Sequence, residues 1–235
     1  MTCTTLEFYR FGFFGQNYGN MSLQNASVTF SVQGAKFQYF GMVGVQSTSS
    51  MYTEVINMMT SVSYSSSEGN NVGSVFGYQG AKNCSIQNAS VVGGNISSGS
   101  STVGGIIGQQ YNNLMVINSS LQNSNVLGSN SVGGIIGSQT GNATIQDSSV
   151  QNSNISISNY NVAGIIGSCI SSELYLTNIQ IKLVRISGVQ NCGIVTGYDS
   201  GTHSFINSKA SSNTINGVLQ KDCTNLLNSK PVTGC

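Results

Sequence analysis

The hexapeptide VGGIIG occupies Val103–Gly108, returns letter for letter at Val132–Gly137, and appears as VAGIIG at Val162–Gly167. It carries no charge, no hydroxyl and no catalytic group, so its repetition points to architecture. Aligning the chain on the last glycine of the motif gives Gly15, Gly44, Gly77, Gly108, Gly137, Gly167 and Gly197. That spacing is about 30 residues, inside the range that marks solenoids and stacked arrays. The outer copies read FGFFG, FGMVG, VGSVFG and CGIVTG, keeping glycine, then apolar residues, then glycine.

A second anchor follows in every copy: Asn25, Asn57, Asn88, Asn118, Asp147, Asn178 and Asn207. Two places before each stands Leu23, Val55, Ile86, Val116, Ile145, Leu176 or Phe205. Three places after, an apolar residue is usual, as at Val28, Val91, Leu121, Val150 and Ile181. Short β-branched segments of this kind alternate inward and outward side chains between bends rich in Gly, Asn and Ser, and no segment is helical over a helix's length. One copy cannot bury its apolar face alone, so copies must stack. The expectation is an all-β chain, a parallel β-helix of about seven coils, right-handed by the crossover preference of parallel strands, and roughly 34 Å long. Stacking would place the Asn/Asp anchors over one another as a hydrogen-bonded ladder, and asparagine tolerates left-handed backbone. The seven anchor glycines are read as corners, or as places where the core must narrow.

The GIIG segments at Gly105–Gly108, Gly134–Gly137 and Gly164–Gly167 resemble the GLUG-motif repeats, and the resemblance extends over about six-sevenths of the chain. It implies a β-solenoid region of large bacterial and protist surface proteins, including non-catalytic parts of immunoglobulin-cleaving metallopeptidases. The peptidase chemistry is not implied here, since that zinc motif needs two histidines on a helix and this sequence holds one His.

Charged residues make up 6% of the chain and the net charge is +1, while 39% is hydrophobic, enough for a core. Eight basic residues scattered along the sequence offer no footprint for nucleic acid or an anionic membrane surface. The longest apolar runs are far too short to span a bilayer. The opening MTCTTLEFYRFGFFG has no signal-peptide pattern, so a secreted or cell-surface destination requires this chain to be part of a longer precursor. No C-x-x-C pair occurs among the six cysteines, and a Cys223–Cys235 bridge would staple the C-terminus. Eight N-x-S/T sites (Asn20, Asn25, Asn83, Asn88, Asn95, Asn118, Asn142 and Asn154) barely exceed what so Ser- and Asn-rich a chain gives by chance, and the three in the ladder are expected to stay bare.

One neighbourhood invites a catalytic reading. Cys169 and Asp199 share an offset in adjacent copies, and Glu173 and His203 share another, which would give a thiol nucleophile, an imidazole base and an acidic orienter on one corner. Against it stand a one-residue slip in the copy containing Glu173 and the lack of an oxyanion hole. VGGIIG is no phosphate loop, because neither Lys-Ser/Thr nor a helix follows. Thr is too scattered for an ice-binding face. The sequence therefore predicts a non-enzymatic solenoid over residues 1–220, with residues 1–10 as an N-terminal cap and 221–235 as a tail or cap, without cofactor or metal. It would serve as a rigid spacer or as an adhesive surface for proteins or glycans. A subunit stacking end to end is the alternative, and a carbohydrate-active β-helix enzyme ranks third.

Overall fold

The computed structural model describes residues 7–33, 36–66, 68–99, 102–170, 173–200, 202–220 and 223–224. Two sheets have seven strands each and a third has eighteen. The first face runs from Glu7–Phe11 through Thr102–Gly104 and Ser131–Gly133 to Cys192–Gly193. The second runs from Phe14–Asn17 through Ile107–Tyr111 and Ile136–Thr140 to Thr196–Asp199. Pairing is parallel and equal letters stack: Val103 pairs with Val132, and Val132 with Val162. Ile107 pairs with Ile136, and Ile136 with Ile166. The chain is an all-β parallel solenoid, as the sequence predicts.

The core is a set of apolar columns. Ile106, Ile135, Val103, Val132, Val162, Leu121, Val150, Val126 and Ile155 are each fully buried. Ile106 and Ile107 are consecutive and both inward because the chain turns between the first and second faces there; both amides donate to Ile135 O, at 3.1 and 3.0 Å. Here the anchor glycines fill the second of the two roles read for them, a place where the core must narrow, rather than a corner. Gly15, Gly44, Gly77, Gly108, Gly137, Gly167 and Gly197 each stand second in a strand of the second face. A Cβ on Gly137 would lie 2.8 Å from Val103 N and 2.6 Å from Gly108 O. The first and second faces thus meet backbone to backbone, and only a residue without a side chain fits between them.

The third face changes along the axis. In the first two coils it is a single long strand, Met21–Gln33 and then Tyr52–Ser66. From the fourth coil onward it is three short strands, as in Asn113–Ile117, Ser120–Gln122 and Asn125–Gly128. The cause is a second column of left-handed residues, Gly93, Asn123, Asn152, Leu183 and Ser212, which bends the later coils again. The last coil is closed differently. Thr214–Ile215 turns through Asn216 (φ 49°) and Gly217 (φ 78°), and Val218–Leu219 returns antiparallel to it. Two adjacent positive-φ residues of the Asn-Gly type make a tight hairpin turn. Cys223–Thr224 likewise runs antiparallel to Lys209–Ala210, so two of the three strands on the C-terminal edge of the third face are covered. Of residues 1–10, expected to cap the other end, the described part from Glu7 pairs in parallel with the second coil. Residues 1–6 and 225–235 lie outside the described residues, as does one partner of the expected Cys223–Cys235 bridge.

Candidate functional site

The structure brings together only half of the sequence-derived catalytic quartet. Cys169 and Asp199 are register partners on neighbouring strands. Glu173 pairs with Thr202, whereas His203 pairs with Leu174, so the Glu173–His203 pairing is off by one position. One residue of slip in a strand exchanges the two faces, which is why a shared offset in sequence failed to become a shared corner. Cys169 is fully buried, and no substrate carbonyl could reach its sulfur. Among the described residues, no group of three His, Cys, Asp or Glu is placed to hold a metal ion.

What unites Cys169 and Asp199 is a buried polar column that sequence reasoning missed. Gln46, Gln79, Gln110 and Gln139 stack in register and run on into Cys169 and Asp199. All four glutamines have 0% exposure. Gln110 Nε2 donates to Tyr111 O at 2.6 Å and Gln139 Nε2 to Gly141 O at 2.7 Å, closing the corner after the second face. The signal was present in the letters, since each glutamine stands two places after an anchor glycine.

The expected asparagine column is hydrogen-bonded. Asn57 Nδ2 donates to Asn25 Oδ1 at 2.8 Å, Asn88 to Asn57 at 2.8 Å, and Asn118 to Asn88 at 2.7 Å. All seven anchors have φ between 48° and 55°, which asparagine adopts more readily than other side chains. Behind them run two columns of buried serine. Ser119 Oγ donates to Ile117 O at 2.9 Å and accepts Ala89 N of the previous coil at 3.1 Å. Ser148 does the same for Ser119 N, and Ser153 for Ser124 N. Buried amides at these bends are therefore completed by a hydroxyl from the next coil, and at Val184 N by Asn213 Oδ1 at 2.9 Å.

Between Asn25 and Asn178 the ladder has one discontinuity. Asn178 Nδ2 donates to Asp147 Oδ1 at 2.7 Å, but a carboxylate has no donor to offer Asn118 on its other side. Asp147→Asn should complete the run from Asn25 to Asn178. The expected result is a rise of about 1–3 °C in Tm, and a melting temperature unchanged or lowered would show that the break costs nothing.

Burial pushes the Cys84 thiol far above its ordinary range, because the thiolate would lose its water. The linkage has a definite sign. Below the unfolded pKa of about 8.5 both states are protonated and the stabilisation is fully present; above it the unfolded chain ionises while the folded one does not, so stability is lost as pH rises. Cys84→Ala, which places on the column the residue that Ala143 already supplies there, should flatten this alkaline decline by up to about 1.4 kcal/mol per pH unit in urea melts.

The outer side of the third face is mostly neutral, with its cations gathered at the C-terminal end. One file runs Ser90, Ser120, Ser149, Gln180 and Lys209. The glutamines brace the hydroxyls, with Gln87 Nε2 on Ser85 Oγ at 3.1 Å and Gln122 Nε2 on Ser120 Oγ at 3.3 Å. At its C-terminal end a groove of about 410 Å³ is lined by Asn178, Gln180, Asn207 and Lys209. Lys182 and Arg185, both exposed, stand on the sixth coil alongside.

Comparison with known proteins agrees with this geometry. Residues 128–156, one full turn from the end of the fourth coil through the fifth, match the GLUG motif. A crystal structure from Bacteroides ovatus that bears a provisional immunoglobulin A1 protease name is similar in fold, with a TM-score of 0.56 at 18% identity. The match covers 91% of this chain and 64% of that one, so this chain spans less than two thirds of its length. Among curated proteins none matches the sequence.

Proposed function

We propose that this β-solenoid, which carries the GLUG motif, is a non-enzymatic component of a secreted or cell-surface protein, holding a rigid, sparsely charged face toward proteins or glycans. The observation that carries the reading is the third face itself. Its outward Ser, Gln and Asn side chains are ordered by bonds to one another, as Asn154 Nδ2 to Asn125 Oδ1 at 2.7 Å shows, above a buried apolar core. A pre-ordered polar surface loses little entropy when it meets a partner. Glu54, Glu173 and Asp199 pair with Ser85, Thr202 and Cys169 in register, so neighbouring strands set no carboxylate pair side by side at these positions. Screening folded protein against glycan and extracellular-protein arrays tests the adhesive role; an array without hits leaves a spacer.

A second reading, self-association through the coil ends, is favoured by Phe13 (71% exposed) and Tyr18 (64% exposed) on the first coil. Because the hairpin at Val218–Leu219 obstructs the opposite end at Thr214–Ile215, such association would pair first coils and stop at a dimer rather than grow into a filament. Light scattering at high concentration distinguishes the cases: persistent monomers remove self-association altogether, and particles larger than dimers remove the hairpin's role as a stop.

A further inference from the structure

We infer that the groove on the last two coils binds an acidic polysaccharide, a chain whose carboxylate or sulfate groups are spaced along an otherwise uncharged sugar backbone. The inference rests on the adhesive reading above and names its site. Asn178 commits its amide donor to Asp147, which leaves its Oδ1 toward the groove's lining groups. Asn207, Gln180 and Lys209 complete the lining. Asn207 does not continue the ladder onto Asn178 among the described residues, so the lining offers an ammonium and two amide donors beside amide oxygens. That set fits an anionic group flanked by hydroxyls.

The charge extends beyond the groove. Lys209 pairs in register with Gln180, and Lys182 lies two residues past Gln180 on the same strand, a diagonal of roughly 7–8 Å. Arg185 opens the next short strand, paired with Thr214. Three cations thus succeed one another across the corner. Asp147, one rung back and bonded to Asn178, lies outside the lining. Leading away are the neutral hydroxyls of Ser149, Ser120 and Ser90. Sparse cations on a neutral hydroxyl and amide surface match a sparsely charged sugar chain. A nucleic-acid backbone, with a charge every few ångströms, requires more extensive neutralisation.

The test uses the whole chain with hyaluronate, which carries one carboxylate on every second sugar, lightly sulfated dextran, neutral dextran and single-stranded DNA as probes in affinity electrophoresis. Retardation is expected with hyaluronate or lightly sulfated dextran, and the comparison of the two separates a carboxylate site from a sulfate site. Binding should fall as salt rises from about 50 to about 500 mM. Lys209→Gln should weaken it about ten-fold, and Lys82→Gln, on the third coil, should leave it unchanged. Far-UV circular dichroism checks that Lys209→Gln is folded; should it not be, the Lys182→Gln/Arg185→Gln double variant takes its place, with the same loss expected. Preference for DNA, equal retardation by neutral dextran, or polyanion binding within two-fold of wild type in these variants would overturn the site. Protein or neutral-glycan binding indifferent to Lys209 would overturn it while sparing the adhesive reading. Failure of every probe and of the arrays would remove both.

Discussion

Gly137→Val is expected to destroy the cooperative fold. The new side chain would start 2.6 Å from Gly108 O and 2.8 Å from both Val103 N and Val103 C, all backbone atoms of flanking strands. A flexible side chain could swing aside, but two hydrogen-bonded sheets cannot separate locally without breaking their ladders. Overpacking in a tight core costs about 1–3 kcal/mol, more where nothing yields, and a typical domain's whole stability is about 5–15 kcal/mol. In urea the variant should lack the wild-type transition, or show it at a much lower midpoint. Gly19→Ala serves as the control: its Cβ would find only Asn17 Oδ1, at 4.0 Å, and the midpoint should hardly move. A Gly137→Val protein as stable as wild type would mean that the first and second faces do not touch.

Phe40→Ala should be comparably severe but local. Phe40 is fully buried, stacks on Tyr64 with centroids 4.1 Å apart, and meets Phe30 at 5.3 Å. Removing a buried ring costs about 3–5 kcal/mol. In a stack where each coil touches only its neighbours, that loss is not shared evenly; it falls on the first coils, which have support on one side among the described residues. Hydrogen exchange should therefore show Met21–Gln33 and Tyr52–Ser66 losing protection while Ile136–Thr140 and Ile166–Ile170 keep theirs. Uniform loss across the chain would show that the solenoid melts as one unit.

Some of this architecture is legible in the letters because stacking repeats the same environment every turn. A column needing left-handed backbone and an outward amide selects Asn seven times over, or nearly so, and the spacing then reports the coil length. Features that depend on the difference between coils were hidden. The third face is one strand in the early coils and three in the later ones because a single extra residue enters at Gly93, and no composition rule exposes that. The anchor glycines announced a steric need without saying whether it lay at a corner or between sheets. Glu173 and His203 shared an offset in sequence, but register is set by hydrogen bonds on both sides of a bend, and one residue of slip separated them. Lys182 and Lys209 become diagonal neighbours only through a full turn of winding, so their charge was scattered in the sequence and gathered in space.

The ladder's direction has a further consequence. Asn57, Asn88, Asn118 and Asn178 all send their N–H toward the preceding coil. Their amide dipoles therefore add head to tail and polarise one another along the axis. A molecule with scarcely any net charge acquires an electrical fore and aft, and the carboxylate of Asp147 sits within that line like a battery terminal, attracting the hydrogens behind it and repelling the oxygen ahead.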